Sequence, residues 1–377
     1  MVSTYPAKES GYVTDSAAAA TALAAGVKTY NGAIGVNVDK KPVESVLKKA
    51  KSYGMKTGVA VTSQVNHATP AAYIAHNESR KNFNQIADSY FNDIQNRRVD
   101  FDIMLGGGWL YFIREDRDLT KEFTEMGGQY IDRFNNLKNL NNQSPALGLF
   151  AKTGLPNAID DKSNRLLAMS KTATKLLDNE QGYFLLIEAS QVDWAAHDND
   201  IATVMAEMDN LAKTLTYLTD KFADSKDTTV ILTADHSTGG FTIGANGSYK
   251  WDPQLLDKLN ASPRTIASKV LSGDLALSEI EKQLGFELTE QEYQELSSVY
   301  KQPANADEKG AIRKKLKQQL LAIIDNRTNT GWTTGGHTGI DVPLFAFGKH
   351  QSQFDGLMNN TDIAKVIFQL LEQSQQK

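Results

Sequence analysis

The chain has 377 residues, with 40 basic and 45 acidic side chains, a formal net charge of −5 and no cysteine. That length permits one large domain or two ordinary ones, and a hydrophobic content of 41% is typical of a globular protein. The lack of cysteine excludes disulfides, thiolate metal sites and thiol catalysis, and an acidic chain without a basic run argues against nucleic-acid binding.

Membrane and export signals are missing from the sequence. No stretch approaches the roughly 20 apolar residues that a membrane span needs. The start does not resemble a signal peptide, because Met1 is followed at once by a polar segment, residues 3–11. We therefore expect no membrane span and no signal peptide in this chain.

Short apolar runs alternate with helical patterns along most of the chain. The apolar runs predict buried strands at residues 57–61, 101–105, 147–150, 183–187, 229–233 and 343–347. Helices are predicted near residues 43–53, 82–96, 165–177, 201–223 and 362–373. This alternation indicates an α/β fold with a mainly parallel central sheet and helices on both faces. In such a fold, ligands bind at the carboxyl ends of the strands.

The alternation stops between residues 247 and 329, where we find no strand pattern. Helical patterns at 289–300 and 308–324, together with a helix start at Ser262-Pro263, predict a helical insertion. We interpret residues 1–377 as a single domain that carries this insertion. Because it lies between two candidate ligand motifs, we expect it to cover the site or to form part of a subunit contact.

The first candidate site is the segment Thr14-Asp-Ser16, which opens an alanine-rich helix that Gly26 can close. A helix N-terminus offers free backbone N–H groups and a positive dipole end, which together bind phosphate. Ser16 is either a nucleophile placed beside that phosphate or simply the N-cap of the helix. Taken alone, the N-cap is the more common role for a serine at such a position.

The second candidate site begins at His67, shortly before a helix start at Thr69-Pro70, and Arg80 follows about three turns later. A guanidinium suits phosphate because its planar fork donates two charge-assisted hydrogen bonds at once. We interpret His76 as an ordinary residue on a helix face.

The third candidate site follows the apolar run 183–187, which leads directly into Glu188. Asp193 and His197 are four residues apart, so a helical turn places both on one face at a spacing that suits metal binding. An Asp-x-x-x-His pair is weak by itself and gains weight from the strand that precedes it.

Two further motifs place histidines next to predicted strands. Asp235 and His236 follow the apolar run 229–233, and His337 lies among glycines just before the predicted strand at 343–347. Together with the motifs above, they supply the carboxylates, imidazoles, arginine and serine that two-metal phosphoryl transfer requires.

These motifs resemble those of the alkaline phosphatase family in their residues and in their order along the chain. The matching segments are residues 14–18, 26–36, 67–71 with Arg80, 188–197, 233–236 and 336–339. The resemblance runs from about Tyr12 to near the C-terminus, except for the insertion. It implies hydrolysis of small phosphate monoesters through a phosphoserine intermediate, with broad specificity because little contacts the alcohol.

The resemblance also implies two Zn²⁺ and one Mg²⁺. Ser16 matches the serine that becomes phosphorylated and contacts the second zinc, and Arg80 matches the arginine that clamps the phosphate. The implied ligands are Asp193, His197 and His337 for the first zinc, Asp235 and His236 for the second, and Thr69 and Glu188 for magnesium. His67 and Trp194 match positions beside the third metal, where some members have Asp and Lys. A periplasmic or secreted location and a homodimer are further family expectations.

One feature of the family has no counterpart in the sequence. The family begins with a buried strand ending in Asp-Gly, whose aspartate binds the second zinc and the magnesium together. Residues 1–12 hold only Glu9 as an acid, with no apolar strand leading to it. We therefore expect an N-terminally truncated form in which the sheet lacks a strand and two metals lack a shared ligand. Losing a group that merely supports a ligand costs roughly 10–100-fold in affinity or activity, and losing a bridging ligand should cost more.

Three other interpretations stay open. A sulfatase of the same superfamily is disfavoured, because alanines follow Ser16 where sulfatases have a Cys/Ser-x-Pro-x-Arg motif. A catalytically impaired metal- or phosphate-binding remnant is supported by the missing aspartate, and metal binding without turnover would identify it. A fragment unable to fold alone would expose unpaired strand edges, and a cooperative thermal transition would exclude it.

Overall fold

The computed structural model describes residues 1–300 and 305–375. Its strands are β1 Val2–Ser3, β2 Lys56–Gln64, β3 Ile103–Gly107, β4 Gln129–Ile131, β5 Ala146–Leu149, β6 Tyr183–Glu188, β7 Thr229–Thr233, β8 Ser237–Thr238, β9 Thr242–Ile243, β10 Thr330–Gly331, β11 His337–Thr338, β12 Leu344–Gly348 and β13 Met358–Asn359.

The α-helices are α1 Ser16–Ala25, α2 Val46–Ser52, α3 Ala68–Ile74, α4 Phe83–Ser89, α5 Trp109–Phe112, α6 Leu119–Glu125, α7 Ala158–Asp161, α8 Arg165–Leu176, α9 Gln191–His197, α10 Ile201–Phe222, α11 Pro263–Ser272, α12 Ile280–Leu284, α13 Glu290–Tyr300, α14 Ala306–Thr328 and α15 Asn360–Ser374. Within the described residues, no helix has both the length and the apolar character to cross a membrane.

A five-stranded parallel sheet forms the centre of the fold, in the order β4-β5-β3-β2-β6. Its strands are rich in apolar residues because helices cover both faces, and β2 is buried over almost its whole length. Helices α1, α2 and α3 contribute to the core on one face, and α8 packs on the other. This architecture confirms the predicted α/β fold with a parallel central sheet.

A second, smaller unit of sheet consists of β7 and β12, which pair in antiparallel fashion and are not hydrogen-bonded to β6. Every residue of β6 and β7 is only half-buried. The sequence predicted both strands to be buried, and that prediction overestimated their burial. The reason is that, within the part of the chain that the structure describes, each strand has a hydrogen-bonded neighbour on one edge only.

The described residues between Asp252 and Thr328 form helices and 3₁₀ turns, with no strand among them. Their side chains build a separate apolar cluster that includes Ile266, Leu296 and Leu320. The same cluster takes in Ile201 at the start of α10, so the helical segment packs directly on the α/β core. It therefore lies close to α9, the helix that precedes α10.

Asp325, near the end of α14, gives the helical segment a pH-sensitive contact. Its carboxylate accepts a hydrogen bond of 3.3 Å from the indole Nε1–H of Trp332. Burial raises the pKa of Asp325 to about 7, and the nearby carboxylate of Asp200 pushes that pKa in the same direction. A carboxyl with a raised pKa stabilises the folded state below its unfolded pKa, and this stabilisation is lost as the pH rises through about 7.

We expect Asp325→Asn to flatten the pH dependence of stability between pH 5 and 8. Asparagine still offers an acceptor to Trp332 but cannot ionise, so at pH 8 the unfolding midpoint should exceed that of the wild type by about 1–3 °C. Thermal unfolding followed by circular dichroism at several pH values measures this. The exposed Asp224→Asn is the matched control, and equal pH slopes for Asp325→Asn and wild type would contradict the prediction.

Candidate functional site

Ser16 is the first residue of α1, and Asp15 is the N-cap of that helix. The Asp15 carboxylate accepts a hydrogen bond of 3.0 Å from the backbone N–H of Ala18, which caps the helix in the usual way. The capping role considered for Ser16 therefore belongs to its neighbour. As a result, the buried Ser16 hydroxyl is free to point at other groups.

The partner of that hydroxyl is His236, which follows β7. The Oγ of Ser16 lies 3.0 Å from the Nε2 of His236, and the same Nε2 lies 3.1 Å from the Asp235 carboxylate. The imidazole of His236 also stacks on His337, with ring centroids 3.5 Å apart. This stacking follows from the antiparallel pairing of β8 with β11, which sets His337 opposite Thr238.

Asp193 and His197 join this cluster from α9. The Asp193 carboxylate accepts a hydrogen bond of 2.5 Å from the Thr238 hydroxyl, and its Oδ1 lies 3.5 Å from the Nε2 of His197. That nitrogen lies 3.1 Å from the Nε2 of His337. One possible ligand atom each from Asp193, His236 and His337 lies within 4.8 Å of the other two, which is a geometry that can hold a metal ion.

The hydrogen bonds of two imidazoles orient them as metal ligands. The Nδ1 of His197 lies 2.7 Å from the carbonyl oxygen of Gly335, and the Nδ1 of His337 lies 2.8 Å from that of Thr14. A carbonyl oxygen can only accept, so each Nδ1 carries the proton and donates it. The Nε2 lone pairs, which face one another, are therefore left for a metal.

Electrostatic coupling links the Asp235–His236 pair. Burial disfavours the charge on both side chains, but their attraction outweighs it: the pKa of His236 is raised, and the pKa of Asp235 is lowered. The charge of His236 adds to burial in lowering the pKa of His337. The site thus concentrates negative charge and imidazole nitrogens in a small volume, as divalent metal sites do.

Glu188 and Thr69 form a second group beside this cluster. The Glu188 carboxylate accepts hydrogen bonds from Ser190 at 2.6 Å, from Ser63 at 3.3 Å and from the hydroxyl of Thr69. Burial raises the pKa of Glu188 to about 7, and the charge of Asp235 contributes to that rise. A carboxylate surrounded by hydroxyl oxygens offers the oxygen ligands that a hard cation such as Mg²⁺ prefers.

Arg80 is held between two side chains. Its guanidinium donates to the Asp15 carboxylate at 3.0 Å and lies 3.2 Å from the Nε2 of His67. Burial and the charge of Arg80 lower the pKa of His67 to about 3, so this imidazole is neutral. The ring of His67 contacts the Trp194 ring edge-on, with the ring centroids 5.5 Å apart. Its buried Nδ1 has no hydrogen-bond partner among the described residues.

A cavity of about 340 Å³ unites most of these groups, and it is lined by Ser16, His67, Arg80, Asp193, Trp194, His197 and His337. Of the residues outside this lining, His236 contacts Ser16, Asp235 contacts His236, and Glu188 lies near Asp235 and accepts a hydrogen bond from Thr69. All the residues singled out from the sequence therefore lie in or next to one site. His76 stays apart, with its Nδ1 2.7 Å from the carbonyl oxygen of Gly35.

Asp15 is a site residue that the sequence motifs did not identify. It caps α1, receives a hydrogen bond from the backbone N–H of Gly32 and fixes the guanidinium of Arg80. Its position directly before Ser16, at a predicted helix start, was the only local signal for it. The contact with Arg80 spans 65 residues, so no local pattern predicts it.

Asp198 ties α9 to the helical segment. One carboxylate oxygen accepts from the Lys317 ammonium at 2.7 Å, and the other accepts from the Arg264 guanidinium at 2.6 Å. These two ion pairs lower the pKa of Asp198 against the effect of burial. Because Asp198 directly follows His197, the two ion pairs fix the end of the helix that carries the cluster.

We expect Lys317→Met to loosen this end of α9 and to weaken divalent-metal binding by about 3–10-fold. This is less than the roughly 10–100-fold for losing a direct support of a ligand, because Lys317 acts on His197 only through Asp198. Competition with a chromophoric chelator measures the affinity. Lys314→Met on the exposed side of the same helix is the matched control. Equal metal affinity in the two variants would show that the ion pair of Lys317 with Asp198 does not position His197.

Comparison with known proteins gives consistent matches. The family model described as alkaline phosphatase matches residues 1–373. Alkaline phosphatase 4 of Bacillus subtilis (strain 168) is 44% identical over 376 residues, which is 99% of this chain and 79% of the relative. Repressible alkaline phosphatase of Saccharomyces cerevisiae is 31% identical over 395 residues, covering 92% of this chain and 69% of the relative.

Solved structures match in the same way. A cold-active alkaline phosphatase from a psychrophile, Shewanella sp., aligns with a TM-score of 0.88 at 45% identity, covering 98% of this chain and 89% of that one. A mutant of TAB5 alkaline phosphatase with Mg bound in its M3 site aligns with a TM-score of 0.68 at 25% identity, covering 98% of this chain and 87% of that one.

Proposed function

This chain belongs to the alkaline phosphatase family, and we propose that it hydrolyses phosphate monoesters by transferring the phosphoryl group to Ser16. The observation that carries the proposal is the position of the Ser16 hydroxyl. It lies at the N-terminus of α1, 3.0 Å from His236, in a cavity that Arg80 and the His–Asp cluster also line. Among the described residues that line the cavity, Ser16 is the one serine that can act as the nucleophile.

The cofactors that we propose are two Zn²⁺ and one Mg²⁺. The converging ligand atoms of Asp193, His236 and His337 fit a zinc ion, and His197 and Asp235 extend the set towards two. Glu188 and Thr69 offer the oxygen ligands that magnesium prefers, and the similar TAB5 alkaline phosphatase mutant has Mg bound in its M3 site. When bound, these metals would supply Lewis-acid stabilisation of the negative charge that develops during phosphoryl transfer.

The chain's own groups bind and orient the phosphate. The guanidinium of Arg80 can donate two hydrogen bonds to phosphoryl oxygens, and Asp15 holds it in place. The N–H groups and dipole at the start of α1 favour the same negative charge. Ser16 Oγ then forms a bond to phosphorus as the alcohol oxygen leaves, and water later attacks the phosphorus and releases Ser16 with inorganic phosphate.

Broad specificity for small monoesters follows from the composition of the site. Polar and charged side chains that suit phosphate and metal ions line the cavity. Among the described lining residues, Trp194 supplies the one large apolar side chain. Binding energy directed at the phosphoryl group is shared by all monoesters. We therefore propose that the identity of the alcohol has little influence on turnover.

Hydrolysis of p-nitrophenyl phosphate by the purified chain, with zinc and magnesium added, tests the proposal. The diester bis(p-nitrophenyl) phosphate and p-nitrophenyl sulfate serve as matched substrates, and we expect turnover of the monoester to exceed both by at least about 10²-fold. Faster sulfate release would favour a sulfatase. A chain that unfolds cooperatively and binds zinc but releases no nitrophenol would be the catalytically impaired remnant.

We expect Arg80→Ala to lower kcat/KM for p-nitrophenyl phosphate by about 10²-fold, because two charge-assisted hydrogen bonds to the phosphoryl group are lost. Arg80→Lys should recover part of this loss, since an ammonium supplies the charge but not the fork. Steady-state kinetics measure both variants. Arg98→Ala, at an exposed position, is the control, and equal kinetics for Arg80→Ala and Arg98→Ala would rule out this role.

Our proposals for the cellular location and the oligomeric state rest on family membership. We propose that the enzyme acts in the periplasm or outside the cell, and that it forms a homodimer, as the family resemblance implies. Cell fractionation followed by activity measurement tests the first proposal. Sedimentation velocity of the purified chain tests the second, and a single monomeric species would contradict it.

A further inference from the structure

The segment 26–36 takes no part in the proposed chemistry, yet it places Asn31 beside the start of α1. Residues 30–33 form a tight turn, which a backbone hydrogen bond of 3.2 Å closes. Gly32 in this turn has a φ of +94°, a value that residues with a side chain rarely adopt. The turn directs the side chain of Asn31 at residues 13–15.

The side-chain amide of Asn31 spans the backbone around Thr14. Its Nδ2 donates a hydrogen bond of 3.0 Å to the carbonyl oxygen of Val13, and its Oδ1 accepts one of 3.0 Å from the backbone N–H of Asp15. A carbonyl oxygen can only accept and an N–H can only donate, so these partners determine the orientation of the amide. One side chain therefore fixes the backbone on both sides of Thr14.

This stretch of backbone orients the imidazole of His337. The backbone at Asp15 is extended, and successive carbonyl groups of an extended chain point to opposite sides. The carbonyl of Val13 faces Asn31, whereas that of Thr14 lies 2.8 Å from the Nδ1 of His337. A rotation of this stretch would withdraw the acceptor that keeps the Nε2 of His337 turned towards the His–Asp cluster.

The same turn also holds Asp15 and Arg80. The backbone N–H of Gly32 donates a hydrogen bond of 3.0 Å to the Oδ1 of Asp15, whose Oδ2 accepts from the Arg80 guanidinium. The carbonyl oxygen of Gly32 accepts a hydrogen bond of 2.7 Å from the backbone N–H of Arg80. Both the main chain and the side chain of Arg80 are thus linked to the turn.

We propose that Asn31 is a positioning residue of the site, which sets His337 and the Asp15–Arg80 pair at their working separation. This inference rests on the proposed function. The side chain of Asn31 is exposed, and the described lining of the cavity does not include it. Asn31 therefore acts through the backbone of residues 13–15, and it links the metal-binding part of the site to the phosphate-binding part.

An ordinary turn asparagine in the neighbouring loop shows the difference. The Oδ1 of Asn37 accepts hydrogen bonds from the backbone N–H groups of Asp39 and Lys41, which are two and four residues away. The partners of Asn31 are 16 and 18 residues away, next to the nucleophile. Asn37 stabilises its own turn, whereas Asn31 joins its turn to the start of α1.

Zinc affinity tests the link to His337. Asn31→Ala removes both side-chain hydrogen bonds, and we expect it to weaken Zn²⁺ binding by about 3–10-fold in competition with a chromophoric chelator. This is less than the roughly 10–100-fold for losing a direct support of a ligand, because Asn31 acts through the Thr14 carbonyl. Asn37→Ala is the matched control and should leave zinc affinity unchanged. Circular dichroism verifies that both variants are folded.

Phosphate affinity tests the link to Arg80. Isothermal titration calorimetry with inorganic phosphate, at saturating zinc, should show about 3–10-fold weaker binding by Asn31→Ala, again with no change in Asn37→Ala. The same substitution in an Arg80→Ala background should change phosphate affinity by less than about twofold, because the guanidinium that Asn31 helps to place is then absent.

Asn31→Ser provides a second variant in case alanine prevents folding. Serine favours turns but is too short to span residues 13–15, so we expect the same losses of zinc and phosphate affinity.

Three results would overturn the positioning role. They are wild-type affinities for both zinc and phosphate in folded Asn31→Ala or Asn31→Ser, equal losses in Asn31→Ala and Asn37→Ala, and an undiminished effect on phosphate affinity in the Arg80→Ala background. Both affinities are measured without turnover. A wild type that binds zinc and phosphate but releases no nitrophenol would therefore contradict the proposed function alone.

Discussion

Ser16→Ala is expected to lower kcat for p-nitrophenyl phosphate by about 10³-fold or more, because the variant has no oxygen to accept the phosphoryl group. The fold should be unaffected, since Asp15 caps α1 and alanine is a good helix former at the first position. The loss should therefore appear in kcat, with thermal unfolding unchanged.

Acid quenching during turnover provides a direct readout of the same residue. Mass spectrometry of the quenched wild type should find phosphate on the peptide that contains Ser16, and the variant should show none. Ser298→Ala, in the helical segment, is the matched control and should keep full activity. Retained turnover in Ser16→Ala would show that the phosphoryl group passes directly to water or to another residue.

Asp193→Asn is expected to weaken zinc binding by more than about 10²-fold and to lower turnover by a similar factor. Even the loss of a group that only supports a metal ligand costs roughly 10–100-fold, and Asp193 contributes a ligand atom itself. The amide has the same shape and can still accept from Thr238, so the change is mainly the loss of negative charge.

Metal analysis after dialysis against a zinc buffer measures this effect without relying on activity. Treatment of the wild type with a chelator should abolish turnover, and added zinc and magnesium should restore it. Asp209→Asn, which breaks an exposed ion pair with Lys213, is the matched control. Equal zinc content in Asp193→Asn and in wild type would remove Asp193 from the ligand set.

Local patterns in the sequence predicted most of the secondary structure. The apolar run 229–233 matches β7, and the pattern at 165–177 matches α8 to within one residue. Such agreement is expected, because the alternation and spacing of apolar residues reflect which face of a strand or helix is covered. Patterns of this kind cannot say which strands are neighbours, and the half-exposure of β6 and β7 was therefore missed.

The chemistry of the site was also readable in part from the sequence. Residue types, their order and their positions after apolar runs indicated a metal-assisted phosphomonoesterase, and the chain belongs to the alkaline phosphatase family. The role of Asp15 was not readable, because its contact with Arg80 joins residues 65 positions apart. Asp15 rather than Ser16 caps α1 because its carboxylate accepts the hydrogen bond from the backbone N–H of Ala18.

The sequence by itself determined which groups are available for catalysis and which segments become strands and helices, because both depend on residue type and short-range periodicity. Only the tertiary structure decided that the Ser16 hydroxyl meets the imidazole of His236, 220 residues away, and that His337 stacks on that ring. It also decided that β6 and β7 each pair with a single strand among the described residues. These features arise from strand pairing and helix packing between distant segments, and such long-range contacts are fixed by the burial of the whole chain rather than by any local pattern.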